Sequence, residues 1–263
     1  MAISNLTYSK HHKMNKRQFL GINIDNLSKN DILEKIIKYI EQPNDIFHIV
    51  SLNPEILVIA NKNKQFKKVI DTAQIRIIDG AGVAVAARLL NIEVGDRVTG
   101  VDLMKELIEM ASRMRLRVLL IGGREQLAAK LAKCYQEKYL QASFLGITGI
   151  KDIVTPTKDE EDKIIPIVTG YKPHIVLVAF GSPHQELWID RHSNIFKGAV
   201  CMGVGQGFDV ASGNTKRAPL LLRKIGMEWF YRLIIQPWRW RRQLRLIEFI
   251  RLVIKELMLM VFH

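Results

Sequence analysis

Cysteine is nearly absent from this chain: Cys134 and Cys201 are the only two in 263 residues, and neither sits in a CxxC or Cys/His ligand spacing. That scarcity excludes a disulfide scaffold, argues against a zinc site and fits a reducing compartment. Long apolar runs are missing too. No uninterrupted stretch reaches the roughly 18–20 residues a membrane-spanning helix requires. The opening segment MAISNLTYSKHHKMNKRQFLG carries no apolar core of a secretory signal. The expectation is a protein of the cytosol or of the cytosolic face of a membrane. HExxH, DxD, a Walker A loop and a complete GxGxxG fingerprint are all absent. His184 and His192 lie eight apart with no carboxylate at metal spacing, so neither a metal site nor a Ser-His-Asp site is expected there.

Negative charge is the other deficit. Lys and Arg number 39 against 26 Asp and Glu, a formal net charge of +13. Such an excess implies an anionic partner: nucleic acid, lipid headgroups or a phosphorylated substrate. With 48% hydrophobic residues the chain has ample material for a core, and its length suits one large α/β domain with an appendage.

The excess concentrates at the C-terminus. From Lys216 onward there are eleven Lys and Arg against Glu228, Glu248 and Glu256, with Leu, Ile, Trp, Phe and Met between them. A segment both basic and apolar suits anionic lipid, whose acyl boundary takes the apolar side chains while the cations stay with phosphates. The plainer reading is a core helix pair with a solvated basic face. Trp238 and Trp240, alternating with Arg239 and Arg241 after Pro237, suit a wet apolar boundary better than a buried helix. An RNA-binding arm would also be basic and aromatic, but the Leu, Ile and Met content favours lipid, and no nucleic acid partner is expected.

Ahead of this segment, apolar strands alternate with amphipathic helices. FLGINIDN reads as a short strand, NDILEKIIKYIEQ as a helix, DIFHIVSLN as a strand stopping at Asn53-Pro54, and PEILVIANKNKQFKKVIDTA as one helix. The runs IRII, RVLLIGG and HIVLVAFG are of the buried type. The pattern predicts an α/β fold with a largely parallel sheet covered by helices on both faces. The expected division is a loose leader over 1–18, a catalytic body over 19–213 and a basic amphipathic helical appendage over 214–263.

Ligands of open parallel sheets sit beyond the carboxyl ends of the strands. Polar or glycine-rich stretches fall there repeatedly: SLNPE, IDGAG, IGGRE, FGSPHQE and GVGQGFDVASG. Asp79, after IRII and beside Gly80 and Gly82, presents a carboxylate at a strand end. It reads either as a general base toward a hydroxyl or as a turn or helix-cap aspartate. Gly122 and Gly123 read either as a close approach to a diphosphate or as a plain turn. Ser51, Asn53, Gln185 and Glu186 pose the same choice between substrate contact and helix terminus.

Taken in order, SLNPE, IDGAG, DRVTGVD, LLIGG, VAFGSPHQE and GVGQGFDVASGNTKRAP followed by EWFYRLIIQPWRWRRQ resemble the WecG/TagA/CpsF family of bacterial glycosyltransferases, from about Phe19 to Arg251. The resemblance implies a Rossmann-like body that transfers a sugar from a UDP-sugar to a polyprenyl-diphosphate-linked saccharide. It implies inversion at the anomeric carbon, no metal and no other cofactor. The place of action would be the cytoplasmic face of the bacterial inner membrane, as a peripheral protein. N-acetylmannosamine, N-acetylmannosaminuronate and a hexose such as glucose are the donor sugars it allows. Asp79 matches the family's proposed base, with Ser51 and Asn53 beside it. Gly80, Arg97, Gly100 and Asp102 match substrate-side positions, as do Gly122, Gly123, Gly181, Pro183, Gln185, Glu186 and Gly205. Arg217, Arg232, Arg239, Arg241 and Arg242 fall in the segment that meets membrane and lipid diphosphate. Two positions depart from the pattern: Ser51 lacks threonine's methyl, and Gln206 stands where many members have glycine. Both bear on which sugar is donated. Self-association through the apolar appendage is compatible with this reading. The rival is a non-catalytic lipid- or RNA-binding protein on the same scaffold.

Overall fold

The computed structural model describes residues 17–261 apart from 125, 225, 236, 238 and 239, with the backbone alone for 17, 224, 241–243 and 261. The chain opens as an antiparallel hairpin, β1 (Arg17–Phe19) and β2 (Ile22–Ile24), where the sequence reads as a single strand. Leu20 and Gly21 both take positive φ, 50° and 73°, and reverse the chain between the two strands.

Helix α1 (Lys29–Glu41) starts behind a capping box in which Ser28 Oγ accepts from the Asp31 amide and the Asp31 carboxylate accepts from the Ser28 amide. β3 (Phe47–Leu52) is followed by two helices, α2 (Pro54–Lys62) and α3 (Lys64–Thr72), rather than the single one that apolar periodicity suggests. The break is at Asn63, whose side chain accepts from the Phe66 amide at 2.9 Å and caps α3.

The body continues through β4 (Ile75–Ile78), α4 (Ala81–Leu89), α5 (Gly100–Met114), β5 (Arg117–Gly122), α6 (Leu127–Lys138) and β6 (Ser143–Ile147). Then come α7 (Lys158–Tyr171), β7 (Ile175–Ala179), α8 (His184–Arg191), β8 (Val200–Gly203) and the short α9 (Gly207–Ala211). Helices α10 (Leu220–Lys224), α11 (Glu228–Ile235) and α12 (Trp240–Val261) close the described chain.

Strands β3 to β8 form one sheet in the order β4-β3-β8-β7-β5-β6, every pairing parallel. Side chains alternate between its faces. Ile49, Ile77, Leu120, Leu177 and Met202 meet α1, α5 and α6 on one side. On the other, Val50, Leu52 and Ile78 meet α2, α3 and α4, while Leu119, Val176, Val178 and Cys201 meet α7 and α8. Burial on both faces is why these strands read as apolar runs.

Two features fix the site. β3 and β4 step to one edge of the sheet, β5 and β6 to the other, and β8 and β7 fill the centre, so the winding reverses mid-sheet. A crevice forms at such a reversal. The C-terminal segment is also joined to the body. Phe249 of α12 is only 3% exposed and packs with Val253 into the core beside α2 and α4. Arg245 pairs with Glu55, and Lys62 with Glu248, along the same contact.

Candidate active site

A cavity of about 560 Å³ opens over the carboxyl ends of β3, β4, β5, β7 and β8. Its far wall is Glu228, Trp229 and Arg232 of α11 with Leu246 of α12. The C-terminal helices therefore close a chamber whose other walls are the strand-end loops.

Asp79 lies on this chamber. The amides of Asp79 and Gly80 both donate to Leu52 O, at 3.0 and 3.2 Å, which ties the ends of β3 and β4 together. Gly80, not Asp79, is the N-cap of α4, and that helix has no side-chain cap. The Asp79 carboxylate is thus not spent on capping α4. It accepts instead from the Gly100 amide at the start of α5. A Cβ on Gly100 would stand 3.1 Å from Ser51 Oγ, a tight approach, and in ordinary contact with Asp79 Oδ2 at 3.5 Å. Burial pushes the Asp79 carboxyl up to about 6. The Gly100 N–H and the Arg232 charge pull the other way, and Glu228 and Asp102 reinforce the rise. A carboxylate poised near neutrality can accept a proton from a hydroxyl.

Arg232 is held over this chamber by Glu228, one helical turn earlier, at 2.6 Å. Asn53 does two things: its Oδ1 caps α2 through the Ile56 amide at 3.0 Å, and the residue lines the cavity. Ser51, next to last in β3, has its Oγ buried and without a hydrogen-bond partner.

Opposite, Gln185 staples two loops. Its Oε1 accepts from the amides of Gly181 and Gly205 at 3.1 and 3.0 Å, and its Nε2 donates to Glu186 and Ser182. The fit leaves no room at Gly203, where a Cβ would lie 2.4 Å from Gln185 Nε2. Glu186 is 1% exposed; Oε1 accepts from Ser182 and Gln185, while Oε2 is buried without a partner. Burial raises its carboxyl above the ordinary range, against the pull of those two hydrogen bonds. Among the described residues no three His, Cys, Asp or Glu side chains gather into a metal-holding group.

The family described as Glycosyl transferase WecG/TagA/CpsF family matches residues 17–260, almost the whole chain. The protein belongs to that family of glycosyltransferases. Among its relatives is the N-acetylglucosaminyldiphosphoundecaprenol N-acetyl-beta-D-mannosaminyltransferase of Bacillus subtilis (strain 168). The two are 34% identical over 228 residues, 86% of this chain and 85% of the relative. The enzyme of the same name from Staphylococcus aureus (strain NCTC 8325 / PS 47) is 31% identical over 239 residues, 90% of each chain.

In this glycosyltransferase the cavity gathers Ser51, Asn53, Asp79, Gly80, Arg97, Gly100, Gly123, Gly181, Gln185, Glu186, Gly205, Arg217 and Arg232 from the candidate set. Gly122 ends β5 one residue before the lining, and Pro183 follows Ser182 through a cis peptide. Asp102 is off the lining and grips Arg217, which links the loop after α9 to the start of α5. Arg97 donates through Nη2 to Arg223 O at 2.7 Å. Arg239 lies outside the described residues, as do the side chains of Arg241 and Arg242. Thr99, Ser182, Glu228, Trp229 and Leu246 also line the cavity without having stood among the candidates. Glu228 carried a readable signal, its Glu-to-Arg spacing of four ahead of Arg232. Leu246 carried none, because only the fold brings α12 over the strand ends.

Proposed function

We propose that this glycosyltransferase moves a sugar from a UDP-sugar to the terminal sugar of a polyprenyl-diphosphate-linked acceptor at a membrane surface. The observation that carries the reading is the Asp79 carboxylate, pushed up to about 6, inside a chamber whose wall is a basic, apolar helix pair. Asp79 accepts the proton of the acceptor hydroxyl as that oxygen bonds to the anomeric carbon. The bond from that carbon to the UDP oxygen breaks on the opposite face, UDP leaves with the electron pair, and the configuration inverts. Arg232 and Arg97 stand on the same cavity and would meet the charge on the leaving diphosphate, so the step is proposed without a metal. The relatives' names support N-acetylglucosamine diphospholipid as acceptor and N-acetylmannosamine as the first donor to test.

The membrane reading has its own support. α12 exposes Trp240, Leu244, Ile247, Ile254 and Met258 along one side, and α11 exposes Trp229, Phe230, Ile234 and Ile235. No helix among the described residues is long and apolar enough to cross a membrane. Such surfaces suit a helix lying in the interface, as expected of a peripheral protein on the cytoplasmic face. UDP release across a panel of UDP-sugars, with a short prenyl-diphosphate-N-acetylglucosamine acceptor, tests the proposal. Acceptor-dependent release from one donor is the expected result. No release from any donor, with vesicles supplied, would sink it.

A further inference from the structure

Four polar side-chain atoms among the cavity-lining residues are buried with no hydrogen-bond partner: Ser51 Oγ, Glu186 Oε2, Gln206 Oε1 and Arg217 Nε. Buried polar atoms are normally satisfied, so unpaired ones gathered on one cavity point to a ligand that satisfies them. Gln206 is the least explained of the four. Glu186 has a structural task through its other oxygen and Arg217 through its Nη1 and Nη2, whereas Gln206 Oε1 is buried without any partner among the described residues.

The position of Gln206 says which part of a ligand it reaches. Its neighbour Gly207 is pressed on α5, where an added Cβ would stand 3.1 Å from Met104 Sδ. Met104 lies one turn after Gly100, whose own Cβ position is 3.5 Å from Asp79 Oδ2. Gly207, next in sequence to Gln206, and Asp79 therefore border the same first turn of α5, a rise of about 6 Å along the helix, and Gln206 and Asp79 line the same cavity. The group beside Asp79 in the proposed reaction is the reacting sugar. An amide oxygen also cannot accept from a diphosphate, which has no proton to give at neutral pH. It can accept from a sugar hydroxyl, an acylamino N–H or the uracil N3–H, and its NH₂ can donate to a hydroxyl, carbonyl or phosphate oxygen; the place beside Asp79 is what favours the sugar.

We infer that Gln206 reads the transferred sugar of the donor, with the free oxygen of Glu186 as its companion, and sets which sugar is accepted. This rests on the reading of Asp79 as base and of the chain as a UDP-sugar transferase.

The test compares wild type, Gln206→Ala and Gln206→Glu as full-length protein on vesicles carrying the prenyl-diphosphate acceptor. The donors are UDP-sugars differing singly at C2 (acylamino or hydroxyl), at C4 (epimers) or at C6 (hydroxymethyl or carboxylate). UDP inhibition is measured alongside. In Gln206→Ala, kcat/KM for the preferred donor should fall about 10-fold or more, and its advantage over one single-position analogue should shrink similarly. UDP inhibition should be unchanged. Gln206→Glu preserves the side chain's shape but not its NH₂, and should reorder the donors. Unchanged donor ratios in both variants would overturn the inference. A loss of UDP affinity equal to the loss in kcat/KM would overturn it too, by placing Gln206 on the nucleotide. If wild type itself turns over no UDP-sugar, the transferase reading fails first, with no variant needed, and this inference falls with it.

Discussion

Arg217 holds Asp102 with both ends of its guanidinium, Nη1 to Oδ1 at 2.6 Å and Nη2 to Oδ2 at 2.8 Å, and Nη2 also donates to Thr99 Oγ1 at 2.9 Å. The two carboxylate contacts are parallel and charge-assisted, a geometry that lysine cannot reproduce. They strap the loop leading to α10 and α11 onto the start of α5, whose first amide reaches Asp79.

Arg217→Lys should therefore loosen the C-terminal helices over the chamber. Because Asp102 is nearly half exposed, the loss should be modest, about 1 kcal/mol, or roughly 2–4 °C in Tm for a chain of this size. Thermal unfolding checks it. The Arg217 hydrogen bonds hold the Asp102 carboxyl down to about 2. Its contribution should therefore be full above the ordinary aspartate range and be lost as pH falls through about 2.

Asp79 gives the opposite sign. Its carboxyl is raised to about 6 by burial, so the fold favours the protonated form. The resulting stability is full below the ordinary aspartate range and is lost as pH rises through about 6. Asp79→Asn should unfold at a higher temperature than wild type at mildly alkaline pH, with the difference closing toward acid. A variant less stable than wild type in alkali would contradict this. For the same reason kcat/KM of wild type should climb with pH around an apparent pKa near 6.

Gln185→Met would keep much of the side chain's bulk and remove its polar atoms. The amides of Gly181 and Gly205 would lose their acceptor, and Glu186 and Ser182 would lose a donor. Two unpaired, part-buried amides cost roughly 1–2 kcal/mol together. Chemical denaturation should show a loss of that order, together with a lower kcat/KM as the two loops separate. A variant of wild-type stability would mean that the staple is unimportant.

The two sides of α12 should behave differently on substitution. Phe249→Ala opens the core beside α2 and should cost about 3 kcal/mol or more, read by denaturation. Replacing exposed Leu244, Ile247 and Ile254 with serine should leave Tm nearly unchanged while weakening co-sedimentation with anionic vesicles. Undiminished vesicle binding by the triple variant would refute the membrane role of this face.

The parallel sheet and its covering helices were legible because strands buried on both faces write continuous apolar runs, as IVLVA and VCMG do. The breaks were less legible. Asn63 sits inside an uninterrupted amphipathic pattern, and only its cap of the Phe66 amide shows that the helix stops. Asp79 was visible as a strand-end carboxylate, but its escape from the capping role depends on Gly80 taking the N-cap. The basic apolar character of the C-terminus was plain in sequence. That Phe249 buries into the core while Arg232 turns onto the cavity was not, because both depend on where α11 and α12 pack.

The central claim is that Asp79 removes the acceptor proton during sugar transfer. The most direct test is single-turnover transfer by Asp79→Asn from the UDP-sugar that wild type uses, with UDP affinity measured on the same sample. The account predicts unchanged UDP affinity and a rate lowered about 10²–10⁴-fold. A variant that transfers sugar at the wild-type rate would show that another group takes the proton and would contradict the account.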